Sequence, residues 1–140
     1  MQVLKGEALW AANVAAGMLM LQFGARTEVK KRSGKEVEVG KFAIHVQCPW
    51  RLSRQGAIII SGSDDDGIES IEDFCSRVPV VREVYAGLWR LSLIFEDGST
   101  FEAFPATSTA DENTEFWRML SPSGYWKTQL VVGPGGAEGL

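Results

Sequence analysis

The single histidine of the chain, His45, stands three residues before Cys48 in the stretch His45-Val46-Gln47-Cys48-Pro49-Trp50-Arg51. An imidazole beside a thiol is the pairing that makes a cysteine nucleophile, because the base removes the thiol proton. Spacing argues against it here. The stretch alternates like a β-strand, and strand residues an odd number apart point to opposite faces. His45 and Cys48 therefore diverge unless a bulge intervenes, and no catalytic residue is assigned. The same parity groups His45, Gln47 and Arg51 on one polar face and sends Ile44, Val46, Cys48 and Trp50 to the core. A guanidinium offers a fixed fork of donors and an imidazole a titratable one, so that face is a candidate site for an anion or carboxylate. The bland alternative is a solvated sheet face, with His45 bonded to a carbonyl and Arg51 paired to an acid such as Asp64 or Asp65.

Asp64-Asp65-Asp66-Gly67 invites a calcium reading. Aligned on the glycine of an EF-hand loop, however, Gly62 falls where the first carboxylate belongs and Asp73 where a bidentate glutamate belongs. Helix capping accounts for the acids better. The two cysteines, Cys48 and Cys75, form no Cys-x-x-Cys and read as small buried hydrophobes. With no phosphate loop, dinucleotide fingerprint or nucleophile elbow, the sequence predicts no metal and no cofactor.

Tryptophan precedes arginine and a bulky apolar residue three times, at Trp50-Arg51-Leu52, Trp89-Arg90-Leu91 and Trp117-Arg118-Met119. In strands, each triplet buries two large groups and leaves a guanidinium outside. Five tryptophans and seven phenylalanines among 140 residues then supply an aromatic core of single-domain size. The reading is one α+β domain over 1–133, mainly antiparallel sheet as a sandwich or partly open barrel, with a disordered glycine-rich tail over 134–140.

The elements follow from spacing. Residues 7–23 admit either a helix or a strand pair turning near Ala15-Ala16-Gly17, the pair being preferred. Arg26 to Lys35 reads as an exposed loop or hairpin tip. From Glu36, a strand runs through Val37, Val39, Phe42, Ile44, Val46, Cys48 and Trp50, with a bulge at Gly40. Ala57-Ile58-Ile59-Ile60 predicts a strand buried on both faces. Ile68, Ile71, Phe74, Cys75 and Val78 recur at helical spacing, so a helix is expected over 68–77, ended by Pro79. Leu88 to Phe104 predicts a hairpin, and keeping its core residues on one face requires the three-residue loop Glu96-Asp97-Gly98, with Phe101 opposite Leu93 and Arg90 diagonal to Glu102. Glu115 to Leu120 and Tyr125 to Val132 predict two closing strands.

Charge is unevenly spread about a net of −4. Arg26, Lys30, Lys31, Arg32, Lys35 and Lys41 are all basic, whereas Asp64, Asp65, Asp66, Glu69, Glu72 and Asp73 form a stretch with no base, as do the acids from Glu96 to Glu115. The balance argues against generic nucleic-acid binding, and no apolar run reaches the ~18 residues of a membrane span. A basic protein partner is the expectation the acids support, with Asp64, Asp65, Arg90 and Arg118 as candidate interaction residues.

The stretch Phe42 to Arg51, with Phe95-Glu96-Asp97-Gly98 and Glu115-Phe116-Trp117-Arg118, resembles a set of small bacterial proteins without an assigned function. The resemblance runs from the first segment to about Leu120. It implies a bacterial cytoplasmic setting and brings no activity, cofactor or catalytic residue. The function expected is a non-enzymatic protein-binding module, immunity-like or adaptor-like. The alternative is a small-molecule or anion binder, or an enzyme, using the His45, Gln47 and Arg51 face.

Overall fold

The computed structural model describes residues 2–87, 89–105, 115–121, 127–133 and 136–139. Strands β1 (Leu9–Ala15) and β2 (Met18–Phe23) form a first hairpin, and β3 (Thr27–Lys30) and β4 (Glu36–Val39) a second. Strands β5 (Phe42–Val46) and β6 (Trp50–Arg54) flank Pro49, and β7 (Ala57–Ser61) leads to helix α1 (Gly67–Ser76). Then come β8 (Val81–Ala86), β9 (Leu91–Phe95), β10 (Thr100–Ala103), β11 (Trp117–Ser121), β12 (Lys127–Gly133) and β13 (Gly136–Gly139). The protein is α+β and mainly antiparallel sheet, as its periodicities predict.

One sheet has the order β1-β2-β5-β11-β12-β13 and a second β7-β6-β10-β9-β8, with β3-β4 standing as a separate ribbon. The chain crosses from the first sheet to the second between Val46 and Trp50, where Pro49 has no N–H to offer a ladder. Two backbone bonds stitch this corner: the Gln47 N–H donates to Phe116 O at 2.8 Å, and the Phe104 N–H to Pro49 O at 2.9 Å. Elsewhere Ala8 bridges Val80, and the Leu9 N–H donates to Pro79 O at 2.8 Å, joining the two sheets a second time. Between them lies one hydrophobic cluster that includes Leu21, Phe23, Ile44, Leu52, Phe74, Leu93, Phe95, Phe101 and Trp117. Each fully buried leucine or phenylalanine contributes about 1.5–3 kcal/mol, so this cluster is the main favourable term.

Local chemistry explains the well-read elements. Ala16 and Gly17, at φ 52° and 76°, make the left-handed turn that a two-residue hairpin needs, which resolves 7–23 as a strand pair. The β9–β10 loop is the expected three-residue one, with Gly98 at φ 86°, Phe101 opposite Leu93 and Ala103 opposite Leu91. Asp97 holds it by accepting from the Ser99 N–H at 2.9 Å and from the Ser99 hydroxyl. Burial alone would raise the Asp97 carboxyl, but those bonds and Arg54 outweigh it and leave it below its ordinary value. Helix α1 buries Ile71, Phe74 and Cys75.

Several expectations are corrected. Glu36 to Trp50 is not one strand but β4, β5 and the start of β6, in three different sheets. Strand β7 is an edge, with Ile58 and Ile59 at 59% and 45% exposure, so it is not buried on both faces. Apolar content cannot distinguish an edge from a centre, because the neighbour that would bury a strand is set elsewhere in the chain. Trp89 is exposed, since β9 begins only at Leu91 and strand parity does not reach it. The acid at the N-cap, Asp66, makes no side-chain cap bond; Asp64 instead accepts the Ser61 N–H at 2.9 Å. Strand β8 has no counterpart in the sequence reading. Gly136–Gly139 pairs with β12 where composition predicts a disordered tail.

Candidate functional site: a chamber beneath the basic hairpin

Residues directly opposite each other in an antiparallel pair share a face. Met20 faces His45, Gln22 faces Ala43, Asn13 faces Met20, and Arg118 faces His45. These side chains therefore occupy the outer surface of the six-stranded sheet, opposite the buried Leu19, Leu21, Ile44 and Trp117. The β3–β4 ribbon folds over that surface. Its cross-strand pairs Val29–Val37 and Thr27–Val39 share one face, on which the three valines are buried or half-buried, and the intervening Glu28, Lys30, Glu36 and Glu38 are exposed.

The ribbon is fastened to the sheet at its base, where Thr27 pairs with Val39. The Gly40 N–H donates to Gln22 Oε1 at 2.9 Å, and a Cβ at Gly40 would lie 2.4 Å from Phe23 O, so only glycine permits this approach. On the neighbouring strand of that base the Trp10 indole N–H donates to Gly24 O at 2.9 Å, with the Arg26 guanidinium 4.4 Å from the Trp10 ring centre.

Between ribbon and sheet is a cavity of about 490 Å³. Trp10, Met20, Val29, Val37 and Val39 supply apolar walls; Asn13, Gln22 and His45 supply polar groups; Lys30, Lys31 and Arg32 lie at the hairpin tip and Glu38 nearer the ribbon base. Burial and the positive charge of Arg118 lower the His45 pKa, with Glu115 pulling the other way, so the imidazole is held in its neutral form.

The polar stripe expected from parity is divided by the corner. His45 lies in the chamber, while Gln47 sits at the bend and donates to Glu115 Oε2 at 3.0 Å. Glu115 also pairs with Arg118, whose Nη2 is 2.7 Å from Oε2, and this bond raises the already high Arg118 pKa further. Arg51 belongs to the other sheet, 3.4 Å from Glu102 and stacked 4.7 Å from the Phe104 ring centre. Its partner is thus the cross-strand Glu102 and not Asp64 or Asp65. Arg90 reaches the same carboxylate at 3.7 Å, the diagonal pairing that the hairpin register predicts. Asp64 and Asp65 lie in the exposed turn before α1. The candidate interaction residues are therefore scattered: Asp64 and Asp65 share the turn before α1, Arg90 stands just ahead of β9 and Arg118 is in β11.

Cys48 lines a different cavity, of about 580 Å³, with Val46, Trp50, Ile68 and Phe104. Burial pushes its thiol up to about 11, and that of Cys75 up to about 12, so neither supplies a thiolate near neutrality. Among the described residues, no group of three His, Cys, Asp or Glu is placed to hold a metal ion, and no helix is long and apolar enough to cross a membrane. The chamber walls were missed in sequence, although Val29, Val37 and Val39 flanking a basic tip carried the signal of an amphipathic ribbon. No family model, no curated protein and no solved structure matches this chain.

Proposed function

We propose that the protein is a non-enzymatic binding module that takes an amphipathic anion in the chamber, the apolar body against Trp10, Met20 and the three valines and the charged head toward Lys31 and Arg32. The observation that carries this reading is the coincidence, in one cavity, of apolar walls with three basic residues at the hairpin tip, the one acid of the lining, Glu38, lying toward the ribbon base. Its volume is within the range of ordinary small-molecule sites, about 300–1,000 Å³. Apolar contact supplies affinity in proportion to the area removed from water, and the cations select the sign of the head group. The inert thiols, and the placement of His45 and Cys48 in separate cavities, support binding over catalysis. A bacterial cytoplasmic setting rests on the sequence resemblance alone.

Calorimetric titration with decanoate, decanol and decylamine tests the assignment. Decanoate is expected to bind most tightly, and Lys31→Glu with Arg32→Glu to weaken it about tenfold or more, the worth of one charge-assisted hydrogen bond. Met20→Trp, which fills the chamber, is expected to abolish binding. Equal affinity for all three compounds would remove the anion from the proposal, and no binding of any would remove the chamber.

A further inference from the structure

We infer that strand β7 and helix α1 form a docking groove for an extended, basic segment of another protein. Among the described residues β7 pairs with β6 alone, which leaves the other side of Ala57–Ile60 without a strand. Exposed sheet edges in monomeric proteins are commonly blunted by lysine, proline or a charged inward group. Strand β7 reads Ala57-Ile58-Ile59-Ile60-Ser61 and carries no lysine, proline or charge; its one blunting device is the bulge at Ile59. Ile58 and Ile59 stand exposed beside it. An extended peptide laid along such an edge gains backbone hydrogen bonds and covers the two isoleucines.

Charge names the occupant. The groove between β7 and α1, about 380 Å³, is lined by Ile59, Ile60 and Phe74 and by the acids Asp66, Glu69 and Asp73. Its two arginines are already engaged: Arg54 lies 3.0 Å from Asp97 and Arg77 3.7 Å from Asp73. Asp66 and Glu69 remain to meet incoming cations. A second copy of this chain fits less well, because it would bring the same acids against the same edge. An apolar side chain over Ile58 and Ile59 followed by lysine or arginine beside Asp66 and Glu69 satisfies both features. This groove belongs to the other sheet from the chamber, and the inference is independent of the anion-binding reading.

Fluorescence anisotropy with a labelled peptide of alternating valine and lysine tests it on the intact protein, an alternating valine–glutamate peptide serving as control. The lysine peptide is expected to bind and the glutamate peptide not. Raising salt from about 0.05 to 0.5 M should weaken binding severalfold, because exposed charges are screened. Ile59→Lys and Glu69→Lys are changes at exposed positions, and each should reduce affinity about tenfold or more. Circular dichroism melts of both variants establish that they fold. Failure of the lysine peptide to bind would overturn the inference, as would affinity unchanged in the folded Ile59→Lys and Glu69→Lys proteins. Self-association of the free protein that Ile59→Lys abolishes would assign the groove to a second copy and overturn it equally.

Discussion

Burial and the Arg118 guanidinium hold the His45 imidazole below its ordinary value of 6.5, and the Glu115 carboxylate offsets them only in part. The folded protein therefore binds this proton more weakly than the unfolded chain does. Stability from this group is fully present above about pH 6.5 and is lost as pH falls toward the folded-state value. Replacing His45 by Gln removes the titration while keeping a polar side chain in the chamber. Melting temperatures measured between about pH 7.5 and 5 should then fall more steeply for the natural protein than for His45→Gln. Parallel curves would show that His45 is not under this constraint. An anion in the chamber favours the imidazolium, so decanoate should raise the His45 pKa. As this is the chain's single histidine, its ring protons report that shift in NMR spectra without assignment.

The β3–β4 ribbon makes the chamber, and Gly40 fixes the ribbon to the sheet. Substituting Gly40 by Ala places a methyl group 2.4 Å from Phe23 O and 2.8 Å from Phe23 N, both backbone atoms that cannot yield cheaply. The Gly40 bond to the buried Gln22 amide should be lost with it, at a cost of about 1–3 kcal/mol. Decanoate affinity should fall together with stability, whereas an intact chamber in Gly40→Ala would show that the ribbon is held by other contacts. Elements whose signals are local were legible in sequence. The Ala16-Gly17 turn, the Glu96-Asp97-Gly98 loop with its register, and the helix over Gly67–Ser76 each depend on neighbours a few residues away. What was lost depends on distant chain. Pro49 marks a bend, but nothing near it says that β5 and β6 enter different sheets, and that separation is what parts Arg51 from His45. Parity placed His45 on the outer face correctly, yet the lid above it comes from residues 27–39 and joins it only in three dimensions.

At the scale of the whole molecule, two connections besides the Ala8–Val80 bridge make the sheets interdependent. The bend at Gln47–Pro49 carries one strand into each, and the bonds of Phe104 and Phe116 to that bend do the same for the partner strands. Trp117 is fully buried in the shared cluster, and its indole N–H donates to Trp89 O at 3.0 Å. A side chain from the six-stranded sheet thus bonds the backbone just ahead of β9 in the five-stranded one. Replacing Trp117 by Phe removes that bond, strands a carbonyl and leaves space in the core, a combined loss of about 2–4 kcal/mol. If the sheets fold as one unit, denaturation followed by tryptophan fluorescence and by far-ultraviolet circular dichroism should give coincident transitions, and Trp117→Phe should shift both by the same amount. Were the two sheets separate domains, the substitution would lower one transition and leave a second in place. Coincidence is the expected result, because no hydrophobic cluster belongs to one sheet alone among the described residues: Leu21, Ile44 and Trp117 of the first pack in the same cluster as Leu52, Leu93 and Phe101 of the second.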